Sequence, residues 1–269
     1  MKDLYSYRNL IFGLAIRDLK LRYQKPFFGF LWMLILPLCT AFVYKVLFVD
    51  FMRIQSGRYP FFIHLLTAFL PWNYFASSIQ GSTRCILESR SVINQLAFPK
   101  YLLPVSVVCA NLLNFLPSLF VLIGFLIAFK VPLSPLLILL PLVIGVQTVM
   151  AIGFSLLTSA LQVVHRDVEY LTQLLLMIAF FLTPGFYTIE EVINKNHDLF
   201  TTLYLCNPLV GIQNMYRIIF IGNYLDTLPA QVNFFNVVLI PLVTAAGVFF
   251  AGFAVFNRYK DKFSDYFNI

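Results

Sequence analysis

Residues 17–37 read RDLKLRYQKPFFGFLWMLILP, a basic stretch that runs without a break into an apolar one. Lys20, Arg22 and Lys25 resist entry into hydrocarbon, whereas the apolar run 27–48 is long enough, at 1.5 Å per residue, to cross a core of about 30 Å. The chain therefore starts along a membrane surface and then passes through it. Positive charge is retained on the cytoplasmic side, which puts the N-terminus inside.

Composition agrees with a membrane-embedded body. Hydrophobic residues make up 60% of the chain and charged ones 12%, where a soluble domain carries about a quarter charged residues. Six spans separated by polar or proline-rich breaks are expected, at 27–48, 60–81, 103–129, 136–163, 170–187 and 235–256. An even number of crossings returns the C-terminus to the cytoplasm. Loop charge tests the orientation independently. Lys2, Arg8, Arg17, Lys20, Arg22, Lys25, Arg84, Arg90, Lys100, Arg166, Arg258, Lys260 and Lys262 fall inside, against Arg53, Arg58, Lys130, Lys195 and Arg217 outside.

This bias accounts for the formal charge of +7. A nucleic-acid partner would require a folded basic face with aromatic platforms, and no soluble domain is available to carry one. The first apolar run is expected to stay attached, being too long for a cleavable leader and lacking a small-x-small site after it. The four cysteines form no C-x-x-C or Cys/His cluster, so no metal site is expected.

The first segment places Lys2, Asn9, Gly13, Arg17, Lys20 and Gln24 in one wedge at 100° per residue, with Leu4, Ile11, Leu14, Ala15, Leu19 and Leu21 elsewhere, an apolar side that Arg8, Asp18 and Arg22 interrupt. Such a helix lies in the headgroup plane with its cations against anionic lipid. A proline falls within each expected span: Pro37, Pro71, Pro117, Pro141, Pro184 and Pro241. Thr183-Pro184-Gly185 joins two helix breakers near an outer end and reads as a bent, openable wall. Lys45 is expected to reach outward from its span, and His64 to be a hydrogen-bonded wall residue.

Absent motifs narrow the function. The chain has no G-x-x-x-x-G-K-[ST], H-E-x-x-H or G-x-S-x-G, and its spans lack the carboxylate and histidine chains of a proton-coupled pump. Energy for uphill movement must come from another subunit. The segment 84–100, RCILESRSVINQLAFPK, would present Glu88, Arg90 and Asn94 to a soluble partner. In the cytoplasmic turn 165–169, Arg166 and Asp167 are expected to pair and cap the next helix. Outside, 188–234 is too long for a hairpin, and the apolar stretch 210–221, broken by Gln213, Asn214 and Arg217, is too short to span; it reads as re-entrant.

These residues resemble the membrane subunits of ABC-2 type exporters for polysaccharides and teichoic acids. The resemblance rests on Arg17-Asp18-Leu19-Lys20 with Arg22-Tyr23, then Gly29, Trp32 and Pro37. It continues through Pro71-Trp72, Phe98-Pro99 with Pro104, Arg166-Asp167, Thr183-Pro184 with Tyr187, and Asn207-Pro208 with Arg217. It implies an all-α, six-helix membrane domain over 1–269, with an interfacial helix at 1–25, a bundle at 27–256 and a cytoplasmic tail at 257–269. It also implies a homodimer in the inner membrane, each copy binding a soluble ATPase subunit. Coupling would fall to Glu88, Arg90, Asn94 and Gln95, with Arg17, Lys20 and Arg22 on the helix clasping the ATPase flank. This chain would bind no cofactor, ATP and magnesium being used by the partner.

A lipid-linked glycan would then pass outward. Aromatic rings stack on the C–H faces of sugars, and Trp32, Phe42, Tyr44, Trp72, Tyr74 and Phe75 are the candidate lining. Thr183, Pro184, Tyr187, Asn207, Pro208 and Arg217 are the candidate outer gate. Two other classes stay open at this point: an ABC-2 exporter of small hydrophobic molecules or drugs, and a membrane-embedded lipid-glycan transferase. For the transferase the adjacent Glu190 and Glu191 lack a basic or histidine partner in sequence.

Overall fold

In the computed structural model the described residues are 7–23, 28–53, 60–90, 98–195, 198–260 and 263. A 16-residue helix, α1 (Arg8–Tyr23), precedes a tight turn at Gly29–Leu31, and α2 (Trp32–Tyr44) continues as wider π-type turns over Lys45–Phe51. Then come α3 (Phe61–Glu88), α4 (Leu102–Ala128), α5 (Leu140–Val164) and α6 (Val168–Phe181). Three shorter helices follow: α7 (Ile189–Lys195), α8 (Asp198–Leu205) and α9 (Pro208–Phe220). Wide turns at Phe235–Leu239 lead into α10 (Ile240–Tyr259). Among the described residues there is no strand, only an isolated bridge between Leu133 and Ile221.

Among the described residues, four helical runs are long and apolar enough to cross a bilayer on their own: Gly29–Phe51, Leu102–Ala128, Pro135–Val164 and Phe235–Tyr259. The other two expected spans are built differently. Helix α3 has 28 residues and is about 42 Å long at 1.5 Å per residue, but it is less apolar because it stands at the centre, against α4, α5, α6 and α9. A helix surrounded by protein has no need of an apolar face toward lipid. Helix α6 has only 14 residues and stops at Phe181, short of the expected end at Tyr187. At about 21 Å it is shorter than a hydrocarbon core.

The expectation of a proline deep in every span is corrected in three places. Pro37, Pro71 and Pro117 lie inside α2, α3 and α4. Pro141 and Pro241 occupy the first turns of α5 and α10, where a tighter or wider turn becomes α-helix and a missing N–H breaks no intrahelical bond. Pro184 lies beyond the end of α6. Beside Pro71 a side chain ties α3 to its neighbours: Gln147 Nε2 on α5 donates to the Pro71 carbonyl at 2.8 Å, and Tyr216 OH on α9 donates to Gln147 Oε1 at 2.6 Å.

The main core runs from Phe61 and Ile63 through Tyr74 and Phe115 to Met150, Tyr216 and Phe220. Helices α5 and α10 approach at Gly153 and Gly252, where a Cβ on Gly153 would lie 2.6 Å from the Phe249 nitrogen. Only the absence of side chains permits that spacing. Helix α1 packs on α4 by burying Ala15 and Leu19 against Ala110. By contrast α2 carries no buried residue over its most apolar stretch, and α6 buries only Thr172 and Leu176. Two long apolar faces are thus left bare in the single chain. Lys45, at the far end of α2, is paired with Asp50 at 2.8 Å.

Candidate functional site

The first three turns of α3, residues 61–72, are buried on all sides. Below them a stripe opens. Asn73, Ser77, Gln80, Arg84 and Glu88 are exposed, while every other residue of the helix is buried or half-buried. Steps of four and three residues return to one helical face, so the five side chains form a polar line down more than half of α3. Polar side chains at membrane depth face a protein interior or a water-filled cavity rather than lipid.

A cleft of about 160 Å³ adjoins the upper part of the stripe. Asn73, Tyr74 and Ser77 of α3 share it with Trp32 and Thr40 of α2, with Asn111, Asn114 and Ser118 of α4, and with Tyr23 of α1. Helix α1 supplies its clamp. Arg22 Nη1 donates to Asn111 Oδ1 at 2.9 Å, and Tyr23 OH donates to Asn114 Oδ1 at 3.0 Å. Asn111 Nδ2 in turn donates to the carbonyls of Val107 (3.0 Å) and Ser77 (3.3 Å). Arg22 is therefore fixed to protein, which corrects its expected place against lipid headgroups, whereas Arg17 and Lys20 are exposed.

The expected aromatic lining divides. Trp32 and Tyr74 line the cleft, but the Tyr74 ring is buried, stacked on Phe115 at 5.1 Å with its hydroxyl 2.9 Å from Thr148 Oγ1. Trp72 and Phe75 are core residues; Trp72 leans on Phe180, and Phe75 meets Phe154 edge-on. Tyr44 packs edge-to-face on Phe69 and Phe186, and Phe42 is exposed on the bare side of α2. The amides Asn73, Asn111 and Asn114 escaped the sequence reading, although the 73–77–80–84–88 spacing was there to be read.

At the other end of the stripe, Arg84 forms an ion pair with Glu169 at the start of α6. The bond to Glu169 holds the Arg84 guanidinium above its already high pKa. Gln162 braces the turn, its Oε1 accepting from the Glu169 N–H at 2.8 Å and its Nε2 donating to the Arg166 carbonyl at 3.0 Å. The expected cap is corrected here: Asp167 stands at the N-cap position but its side chain makes no capping bond, and Gln162 satisfies the orphan donor instead. Arg84, Leu87, Glu88, Arg166, Asp167 and Glu169 surround an open pocket of about 420 Å³. Glu88 and Arg90 are exposed beside it, while Asn94 and Gln95 lie outside the described residues.

The opposite end holds the candidate gate residues, which converge. Thr183 Oγ1 donates to the Phe180 carbonyl at 2.8 Å, closing α6, and Gly185 N donates to the Thr183 carbonyl at 2.7 Å, so the chain turns back at Pro184. Arg217 of α9 is fully buried, and its Nη2 donates to the carbonyls of Pro184 and His64. Tyr187 OH donates to the Phe181 carbonyl at 3.0 Å and accepts from Tyr204 OH at 3.4 Å. Asn207 caps α9, its Oδ1 accepting from Leu209 N at 3.0 Å, with Pro208 in the first turn. His64 Nε2 lies 3.3 Å from the Tyr187 carbonyl, a wall contact as expected. Arg217 Nε and Nη1, Gln213 Oε1 and Asn214 Oδ1 are buried without hydrogen-bond partners.

The profile of the ABC-2 type transporter family matches residues 9–221, which takes in α1, the polar stripe and the buried Arg217. The chain belongs to that family. Its relatives include the O-antigen export system permease protein RfbA of Myxococcus xanthus, 30% identical over 249 residues, covering 93% of this chain and 94% of that protein. Two such permeases of Klebsiella pneumoniae are 29% and 28% identical over 258 residues, covering 96% of this chain and 94% of each relative. This member of the family is thus an all-helical, multi-pass membrane protein of the transport type.

Proposed function

We propose that this chain is the permease subunit of an ATP-driven exporter that moves a lipid-linked O-antigen-type polysaccharide across the inner membrane. The observation that carries the reading is the polar line from Asn73 to Glu88 on an otherwise buried helix. A polymer of sugars needs hydroxyl-satisfying groups along its whole route, and the exposed Asn73 and Ser77 supply hydrogen bonds in a cleft that Trp32 and Tyr23 also line. A drug exporter would instead favour an apolar vestibule.

In this reading both termini are cytoplasmic, so the Arg84–Glu169 pocket faces the cytoplasm and Arg217 the outer side. The chain acts without catalysis of its own. A soluble subunit hydrolyses ATP with magnesium and pushes on Glu88, Arg90, Asn94 and Gln95, while Arg17 and Lys20 hold its flank. The bare faces of α2 and α6 favour a homodimer with the glycan path between the two copies. Thr183, Pro184, Tyr187, Asn207, Pro208 and Arg217 then form the outer gate of each copy.

Deleting the gene in its own host tests this. Surface polysaccharide should disappear while lipid-linked glycan accumulates on the cytoplasmic face, and the wild-type chain should restore export. Unchanged surface polysaccharide with retention of a hydrophobic drug would favour the drug exporter.

A further inference from the structure

A groove of about 550 Å³ lies between the start of α5, helix α9 and the turns leading into α10. It shares no lining residue with the cleft on α3 and α4. Its walls are apolar, with Val143 and Val146 from α5, Met215 and Ile219 from α9, Phe234 from the turns and Leu242 from α10, and its single polar lining residue is Asn233. An empty space of this size forfeits the contacts of every atom around it. Water does not solve the problem, because each buried molecule needs two to four polar partners.

The mouth identifies the occupant. Leu142 and Leu242 at the groove's rim are exposed, and the exposure continues onto other large apolar side chains of the same spans. In a membrane protein that surface is already in contact with hydrocarbon, so the groove is an extension of the lipid-facing surface. At about 550 Å³ the open groove is on the scale of a single acyl chain. None of the lining residues is charged, so the site selects a chain and is indifferent to the headgroup.

We propose that this groove holds one acyl chain of a bilayer phospholipid, upright between α5, α9 and α10. The chain sits in the leaflet at the end of the bundle that carries residues 182–234. Its contacts with Met215 and Ile219 buttress α9 from the side away from Pro184 and His64, whose carbonyls Arg217 holds. Bound lipid thereby fixes the helix that carries the buried arginine. The inference needs only the bilayer and is independent of what the protein exports.

The test is photo-cross-linking of the full chain in nanodiscs doped with a phosphatidylethanolamine bearing a diazirine midway along one acyl chain. Adducts are located by peptide mass spectrometry. Labelling in the groove should exceed that at Phe120, an exposed residue of α4, by several-fold. Val146→Trp, which fills the groove, should reduce groove labelling several-fold and leave Phe120 labelling unchanged. Leu242→Trp fills it from the opposite wall, and the variant that retains Phe120 labelling is the one scored. Even labelling of the lipid-facing surface, or groove labelling undiminished in the filled variant, would overturn the proposal. Stronger groove labelling by a photoactivatable polyprenyl phosphate than by the phospholipid would overturn the acyl assignment.

Discussion

Replacing Gln147 by leucine should uncouple the central helix from α9 while leaving the packing volume nearly intact. The side chain is 2% exposed and makes two bonds, to the Pro71 carbonyl at 2.8 Å and from the Tyr216 hydroxyl at 2.6 Å. Leucine has a similar shape and neither donor nor acceptor, so the Tyr216 hydroxyl loses its acceptor and the Pro71 carbonyl its side-chain donor. Side-chain hydrogen bonds between membrane helices are worth about 0.6 kcal/mol on average and up to about 1.7. Both of these are short and shielded, which places Gln147→Leu at about 2 kcal/mol. Tyr216→Phe removes one bond and the hydroxyl with it, at about 1 kcal/mol. The double variant should then cost little more than Gln147→Leu alone, a coupling of about 1 kcal/mol in the cycle. Reversible unfolding of the purified chain in mixed micelles, titrated with a denaturing detergent, measures all four corners. Additive costs would show that Gln147 and Tyr216 do not act through each other, and the account of Gln147 as a link between α3 and α9 would fall.

Three further outcomes are expected. Changing Asn73, Ser77 and Gln80 together to leucine should leave the chain folded and inserted while cutting export of surface polysaccharide severely; normal export would remove the polar stripe from the path. Arg84→Glu should abolish export by setting two carboxylates against each other, and adding Glu169→Arg should restore much of it, measured as surface glycan per permease; an inactive double variant would deny the pair its role. Burial and the neighbouring Glu191 raise the pKa of Glu190, so its charged form is disfavoured in the folded protein and stability falls as pH rises through the folded pKa. Glu190→Gln should therefore be the more stable protein at neutral pH, with the advantage fading in acid as the wild-type carboxyl takes up its proton, as thermal melts across pH would show.

Much of the architecture is carried by local sequence. The long apolar runs that become α2, α4, α5 and α10 are decided by length and hydropathy, and α9 was legible as an apolar stretch too short to cross. What local pattern cannot provide is the identity of distant partners. Arg22 reads as a headgroup cation until Asn111, far along the chain, is seen to receive its proton donor. Trp72 and Phe75 read as lining until α6 and α5 are packed against them, because an aromatic ring suits a core and a sugar path equally well. The end of α6 is likewise a tertiary result, since Pro184 closes the turn where its carbonyl meets Arg217. The stripe on α3 was legible at helical spacing, and was obscured because aromatic side chains dominate the composition around it.

The length of α3 has a mechanical corollary. His64, whose carbonyl binds Arg217, and Arg84, which binds Glu169, belong to one helix, and twenty residues of rise separate them by about 30 Å. The helix is a lever with a charged contact at each end and the proline-softened turn at Pro71 along its arm. Displacements of about 1–2 Å, the size of helix shifts at switching interfaces, require a tilt of only about 2–4° over that distance. A small tilt driven from the Arg84 end is thus enough to move the His64 carbonyl that holds the buried arginine, less whatever bending Pro71 absorbs.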